Sequence, residues 1–278
     1  MEFKKLGRTD LKIPVLGLGT WGVGGFSAKS TEDDDLAVAA LRLGLDLGMR
    51  FIDTAEIYAR GHSEEVVGKA IVNQRDSVFL ATKVSAENLS YDSVLKACNA
   101  SLKRLETEYI DLYQVHWPNS RIPISETMKA MERLVKDGKI RYVGVSNFSV
   151  KQTKEAQEAL SNLELVSNQV EYSLTERSIE NGLLPYADKE EITIIAYSPL
   201  ERGLISTRTS GDRWGLIDAI ASKYQKTRNQ VALNWLVEKS PVVAIPKAVN
   251  PQHLHENVGA QGWRMFREDS EALSKAFT

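Results

Sequence analysis

Cysteine is all but absent. Cys98 stands alone, so no intrachain disulfide can form and nothing points to an oxidising compartment. It falls in LKACNASLKRL, a helical pattern, and reads as a buried or half-buried helix residue. An excess of one charge is missing as well. Lys and Arg number 35 against 37 Asp and Glu, a net of -2, which leaves no electrostatic footprint for nucleic acid or an anionic membrane surface. Long apolar runs are missing too: stretches such as ITIIAY (192–197) fall far short of the about 20 residues that a membrane-spanning helix needs. The N-terminal MEFKKLGRTDLKIP is basic but lacks the apolar segment of a signal peptide, so the expected location is cytoplasmic. Histidine is scarce, with only His62, His116, His253 and His255. The last two would lie on opposite sides of a helix end, a poor chelating pair, and no metal site is expected. No low-complexity block or Pro/Gly/Ser-rich linker divides the chain. What remains is an ordinary globular composition, 42% hydrophobic and 26% charged over 278 residues, enough for a large core without staples.

Eight β-rich apolar runs recur along the chain, at 15–19, 51–53, 78–82, 110–115, 142–145, 165–171, 192–197 and 242–245. Between them lie helical patterns at 32–47, 63–70, 91–105, 125–136, 150–159, 179–187, 214–224 and 230–239. The first opens on acidic residues just after Ser30 and Thr31, residue types that N-caps prefer. Strand–helix alternation, with strands that do not alternate apolar and polar, implies a parallel sheet covered on both faces. Eight repeats predict an α/β fold, a closed (β/α)8 TIM barrel, as one domain over 1–278. Residues 2–5 and 11–14, joined by 7–10, predict a short N-terminal β-hairpin, and 258–278 a short C-terminal tail.

In such a barrel the chemistry sits where the strands end. Here the strand ends carry Gly17-Leu18-Gly19-Thr20-Trp21-Gly22, then Asp53 with Tyr58 five residues on, Thr82-Lys83, His116-Trp117-Pro118, Ser146-Asn147, Asn168-Gln169, Tyr197-Ser198 and Pro246-Lys247. Each has an ordinary explanation alone: an Asp caps a turn, a Tyr packs its ring, a Lys is solvated, a His beside Trp-Pro is structural. Together Asp, Tyr, Lys and His at one rim make a specific device. A phenol of ordinary pKa near 10 is a poor proton donor at neutral pH, and a nearby ammonium lowers that pKa. A buried Asp holds the ammonium in place, and a neutral His can hydrogen-bond a carbonyl oxygen beside the phenol. Such a set polarises and protonates a C=O as a hydride arrives. Gly17, Gly19 and Gly22 are expected at the mouth, where backbone must approach a cofactor closely.

The chain resembles the aldo-keto reductase superfamily over nearly its whole length, in GLGTWG (17–22), FIDTAEIY (51–58), GHSEEVVGKAI (61–71), ATK (81–83), DLYQVHWP (111–118), LVKDGKIRYVGVSNF (134–148), NQVEY (168–172), AYSPL (196–200) and IPKAVNPQHLHEN (245–257). The resemblance implies a catalytic tetrad of Asp53, Tyr58, Lys83 and His116: Tyr58 as general acid or base, Lys83 lowering its pKa, Asp53 pairing with Lys83, His116 orienting the carbonyl. It implies NADPH or NADP+, bound without a Rossmann domain, and the first strand is indeed followed by no G-x-G-x-x-G. By the same likeness Ser146, Asn147 and Gln169 hold the carboxamide, beside Asp53, and Tyr197 stacks on the nicotinamide. Gly19, Thr20 and Trp21 approach from strand 1. Ser198, Leu200 and Gly203 border the pyrophosphate. Lys247 faces the adenosine 2′-phosphate, with His253, Glu256 and Asn257 nearby. Ala248 and His253 depart from a pattern of Ser and Arg in many NADPH-binding members, which leaves NADH use open. Only 21 residues follow Asn257, so the substrate pocket is expected to be open, walled by Trp21, Trp117 and the loops 23–29 and 202–213. The implied partner is a small carbonyl or alcohol, handled by a monomer, with no nucleic acid or membrane. The rival reading is a cofactor-binding regulatory or redox-sensing protein on the same fold.

Overall fold

The structure is a computed structural model that describes residues 1–26 and 28–277. Ser27, within the loop 23–29 expected to wall the pocket, and Thr278 lie outside the described residues. Strands β1 (Phe3–Lys5) and β2 (Lys12–Pro14) pair antiparallel, as the predicted hairpin. Eight parallel strands follow: β3 (Leu18–Gly19), β4 (Phe51–Asp53), β5 (Phe79–Val84), β6 (Ile110–Val115), β7 (Ile140–Ser146), β8 (Leu165–Glu171), β9 (Thr193–Tyr197) and β10 (Val242–Ala244). Chain neighbours are sheet neighbours throughout. The last strand then meets the first: Leu16 bridges Ala244 in parallel, Gly17 N–H donates to Ala244 O at 2.8 Å, and Ala244 N–H donates to Val15 O at 2.9 Å. The sheet is a closed barrel.

Helices α1 (Asp34–Asp46), α2 (His62–Ile71), α3 (Tyr91–Arg104), α4 (Ile124–Lys136), α5 (Val150–Ala159), α6 (Leu183–Lys189), α7 (Leu204–Thr207), α8 (Asp212–Tyr224) and α9 (Arg228–Val237) precede β10, and α10 (Pro251–Val258) and α11 (Arg267–Ala276) follow it. Local chemistry accounts for several. In α4 the buried residues Thr127, Met128, Ala130, Met131 and Leu134 recur at helical spacing and form one stripe. Capping boxes start α5 at Ser149 and Gln152 and α9 at Thr227 and Gln230. Every residue of β5 and β6 is buried, because one face meets the barrel interior and the other the helices. No helix among the described residues is long and apolar enough to cross a membrane.

Four local expectations change. Helix α1 starts at Asp34 after Asp33, which makes no side-chain cap bond, so Ser30 and Thr31 are not its caps. Strand β5 runs two residues further than expected and takes Lys83 inside the sheet. Helix α10 is not among the eight helical patterns; Asn250 caps it, Pro251 opens it, and His253 and His255 lie within it rather than only at its end. The segment read as a tail contains α11, and Phe277 behind it is buried against Trp214 with ring centroids 5.2 Å apart.

The barrel interior sets the stage for the site. Inward positions recur every second residue along a strand. Toward the strand starts they are apolar: Phe51, Ala81, Leu112, Val166, Ile195 and Val243, with Leu6 and Ile13 of the hairpin segment closing that end. Two residues further on, Phe51 gives way to Asp53, Ala81 to Lys83, and Leu112 to Gln114. Close packing leaves no room for a side chain at either Gly17 or Gly19, and Gly19 lines the cavity as well. A Cβ on Gly17 would lie 2.7 Å from the Phe51 ring, and one on Gly19 would lie 2.6 Å from Ile245 O.

The hairpin segment is therefore part of the core. Ile13→Ala is expected to lower the unfolding free energy by about 2–5 kcal/mol, measured by urea denaturation. An unchanged midpoint would show that the barrel end is closed without it.

Candidate active site

Strand β4 ends at Asp53, and the chain turns at once. Tyr58 opens a 3₁₀ turn in which Ala59 (φ 48), Arg60 (φ 57) and Gly61 (φ 91) are all left-handed. Non-glycine residues in that region cost about 1 kcal/mol or more each. Ala59 is fully buried, so packing holds the turn, and the turn brings Tyr58 back over β5.

There it meets Lys83, which has no solvent exposure. An ammonium has three protons to place. Lys83 Nζ donates to Asp53 Oδ2 at 2.5 Å, to Thr54 O at 2.9 Å and to Tyr58 Oη at 3.3 Å. Asp53, 1% exposed, has its other oxygen occupied as well: Oδ1 accepts from Gln169 Nε2 at 2.7 Å and from Gln114 Nε2 at 3.2 Å. Burial works against the Lys83 charge, but Asp53 and Tyr58 outweigh it, and the pKa lies above its ordinary value. Burial also pushes the Tyr58 phenol up, and Lys83 pulls it back only in part. The sequence expectation was a lowered phenol. In this state the proton stays on Tyr58, because a buried tyrosinate is costlier than one ammonium beside it can offset.

His116 follows β6, 7% exposed, with its ring edge-on to Tyr58 at a centroid distance of 5.7 Å. Burial, and then repulsion from Lys83, depress its pKa to about 3, so the imidazole is neutral. Its Nδ1 is buried without a hydrogen-bond partner.

A cavity of about 710 Å³ opens over this network at the C-terminal ends of the strands, a size suited to a small organic ligand. Lys83 lies behind its wall, and every other residue singled out for catalysis or binding lines it. The polar residues after β7 to β9 are tied to one another. Ser146 Oγ donates to Gln169 O at 2.8 Å, Asn147 Nδ2 to His116 O at 3.0 Å, and Tyr197 Oη to Asn147 Oδ1 at 3.0 Å. Thr20 is turned inward, its hydroxyl donating to Asp53 O at 3.0 Å. Lys247 and His253 are exposed on the cavity wall. Glu256 Oε1 accepts from Thr227 Oγ1 at 2.5 Å and from Asn229 Nδ2 at 3.4 Å.

The mouth is aromatic. Trp21 packs edge-on to Phe26 with centroids 5.1 Å apart, and the Arg202 guanidinium lies 4.9 Å above the Trp21 ring, joining the loops after β3 and β9. Trp117 stands 49% exposed on the same wall. No residue after Asn257 lines the cavity among those described. Ser206 lines it from the loop 202–213 expected to wall the pocket, and Ile57 and Asn229 line it without having been singled out in the sequence. Asn229 carried one signal: it sits just inside the capping box that starts α9. No three His, Cys, Asp or Glu side chains gather to hold a metal among the described residues.

A closed (β/α)8 barrel with a cavity and a buried Asp–Lys–Tyr network at its strand C-termini has the build of a barrel enzyme. Known proteins narrow the class. The Aldo/keto reductase family profile matches residues 15–275. Methylglyoxal reductase YeaE of Escherichia coli (strain K12) is 38% identical over 275 residues, covering 96% of this chain and 92% of that one. The crystal structure of the thermostable aldo-keto reductase Tm1743 with the inhibitor epalrestat superposes with a TM-score of 0.95 at 41% identity, over 99% of this chain and 100% of the other. An aldo/keto reductase from Klebsiella pneumoniae, in complex with NADP and acetate, gives a TM-score of 0.89 at 36% identity, over 99% and 95%. The chain belongs to the aldo/keto reductase family and is an oxidoreductase.

The depressed pKa of His116 has a thermodynamic consequence. Between its ordinary 6.5 and about 3, the unfolded chain binds a proton that the folded protein refuses. That contribution to stability is fully present above about pH 6.5 and is lost as pH falls toward 3. Urea unfolding at stepped pH is expected to show a shallower acid decline in His116→Gln than in the wild type. Equal slopes would mean that His116 takes up its proton in the fold.

Proposed function

We propose that the protein interconverts an aldehyde or ketone and the corresponding alcohol, with NADPH as hydride source and Tyr58 as proton donor and acceptor. The observation that carries this reading is the buried Lys83 ammonium, shared between Asp53, the Thr54 carbonyl and Tyr58 Oη. A bound nicotinamide supplies a hydride to the carbonyl carbon. Tyr58 gives its phenolic proton to the carbonyl oxygen as the C=O π pair becomes the O–H bond. The tyrosinate left behind is stabilised by Lys83, and Asp53 keeps Lys83 charged. A neutral His116 has one N–H to offer the same oxygen. In oxidation the steps reverse, with tyrosinate taking the alcohol proton.

The cavity wall fits the cofactor. Lys247 makes no hydrogen bond or ion pair among the described residues, so its ammonium is free for the adenosine 2′-phosphate. Asn229 Oδ1 is a buried acceptor with no partner, suited to a ribose hydroxyl or the adenine amino group. Ser146, Asn147 and Gln169 would hold the carboxamide and Tyr197 the ring face. Gly19 and Trp21 flank them, and Ser198, Leu200 and Gly203 border the pyrophosphate. Glu256 and Asn257 lie toward the adenine. Ala248 and His253 leave Lys247 without a neighbouring hydroxyl or guanidinium, so NADH is accepted less well rather than excluded. Trp21, Phe26 and Trp117 wall the substrate.

A panel of aldehydes, ketones and alcohols, with methylglyoxal among the first on the ground of the Escherichia coli relative, tests the reading with both cofactors. Tyr58→Phe is expected to lower kcat about 10²–10⁴-fold without weakening NADPH binding. Turnover at the wild-type rate would remove Tyr58 from the chemistry. Tight NADPH binding with no turnover of any carbonyl by the wild type would favour a regulatory protein instead. Lys247→Met is expected to reduce the NADPH-over-NADH preference in KM about ten- to a hundredfold. An unchanged ratio would place the 2′-phosphate elsewhere.

A further inference from the structure

We propose that Gln114 is a positioning residue for this chemistry: its side-chain amide holds Asp53 Oδ1 in place when the Gln169 amide is drawn away to a bound cofactor. The inference rests on the function proposed above, and it concerns a side chain to which neither the sequence motifs nor that function gave a task.

Gln114 is on β6, fully buried, in register with Lys83 on β5 and with Gly144 on β7. It points into the barrel one layer above Leu112. A buried amide there is unfavourable unless its hydrogen bonds are made, and a hydrocarbon side chain of similar volume would fill the space at no such penalty. The surrounding structure makes room for it. A Cβ on Gly144 would lie 3.0 Å from Gln114 Cγ and 2.4 Å from Ser167 Oγ. Gln114 Nε2 donates to Asp53 Oδ1 at 3.2 Å, and Gln114 Oε1 lies 3.5 Å from Gln169 Nε2. The two amides thus share one carboxylate oxygen and touch each other.

Among the described residues, Asp53 Oδ1 has these two side-chain donors, and Oδ2 has Lys83. Once the Gln169 amide turns to a nicotinamide carboxamide, Gln114 is the remaining donor to Oδ1. Without it the carboxylate is free to rotate and offer both oxygens to Lys83. Of the three bonds Lys83 makes, the one to Tyr58 is the longest, 3.3 Å against 2.5 and 2.9 Å. It is the one that a second carboxylate contact would weaken first. Lys83 would then stabilise tyrosinate less well, and Tyr58 would hold its proton to higher pH.

Gln114→Met keeps the length and bulk and removes the N–H donors. Tyrosine labelled with ¹³C at Cζ reports the ionisation of Tyr58 by NMR, with the resonance assigned by its absence in Tyr58→Phe. In Gln114→Met saturated with NADP+, the Tyr58 titration is expected to move to higher pH by about one unit, more than in the free protein. The rising limb of kcat for alcohol oxidation should move with it, while NADP+ affinity stays in place. Gln114→Glu supplies a second probe. A protonated Glu can donate to Asp53, so activity should approach wild type at the acid side and fall as this carboxyl ionises. The proposal is overturned if the Tyr58 titration and the oxidation limb of Gln114→Met stay where they are in the wild type, whatever happens to its stability. The NMR titration needs no turnover. It therefore reads Gln114 even if Tyr58→Phe proves active and the proposed chemistry is wrong.

Discussion

A lysine ammonium without solvent contact, 2.5 Å from a carboxylate, is the arrangement on which the rest of this protein depends. Taking two charges out of water costs several kcal/mol per ion, and the mutual attraction offsets that only if every proton and lone pair is met. Here all three Lys83 protons and both carboxylate oxygens have partners: Asp53, Thr54 and Tyr58 take the protons of Lys83, and Gln114 and Gln169 fill the other carboxylate oxygen. The network spans β4, β5, β6 and β8. A flat sheet could not bring β4 and β8 together. Closure of the barrel does, through the contacts of residues 15–17 with Ala244.

The period of two along each strand decides where the polar set lies. Phe51, Ala81 and Leu112 fill the middle of the barrel, and Asp53, Lys83 and Gln114 are the next inward positions toward the strand ends. The apolar layer beneath, closed by Leu6 and Ile13, keeps water from reaching the ion pair from behind. That dryness has two effects. It strengthens the pull of Lys83 on Tyr58, and it raises the phenol pKa even more, so the resting proton is on Tyr58. It also keeps His116 neutral beside it. One burial therefore sets the protonation of two groups that face the cavity.

Around the mouth, the chain accepts strain where side chains must be aimed. Ala59 and Arg60 after Tyr58, Asn147 after β7, and Ser198, Glu201 and Arg202 after β9 are all left-handed without being glycine. Such residues concentrate where a rigid scaffold over-determines a loop. Much of the site was legible beforehand, because a residue just past a strand is at the rim of any such barrel. The strand runs placed Asp53, His116, Ser146, Asn147, Gln169, Tyr197 and Lys247 there, and the cavity includes them all. Asn229 and Ile57 were not legible. They lie outside the strand ends, and only folded loops and a packed helix bring them to the wall.

The sequence by itself determined the number of barrel strands, the order of chemical groups along the rim, and the hairpin ahead of them. Those are local properties: apolar runs, helical spacing, capping residues, and the type of side chain at each strand end. Tertiary structure alone decided which groups touch. It closed the space around Gly17 and Gly19, turned Thr20 onto the Asp53 carbonyl, and set Gln114 and Gln169 on one carboxylate oxygen. It also reversed the expected net shift of the Tyr58 phenol. Contact across a barrel and the water it excludes depend on strand register and closure between residues far apart in the chain, and no local pattern carries them.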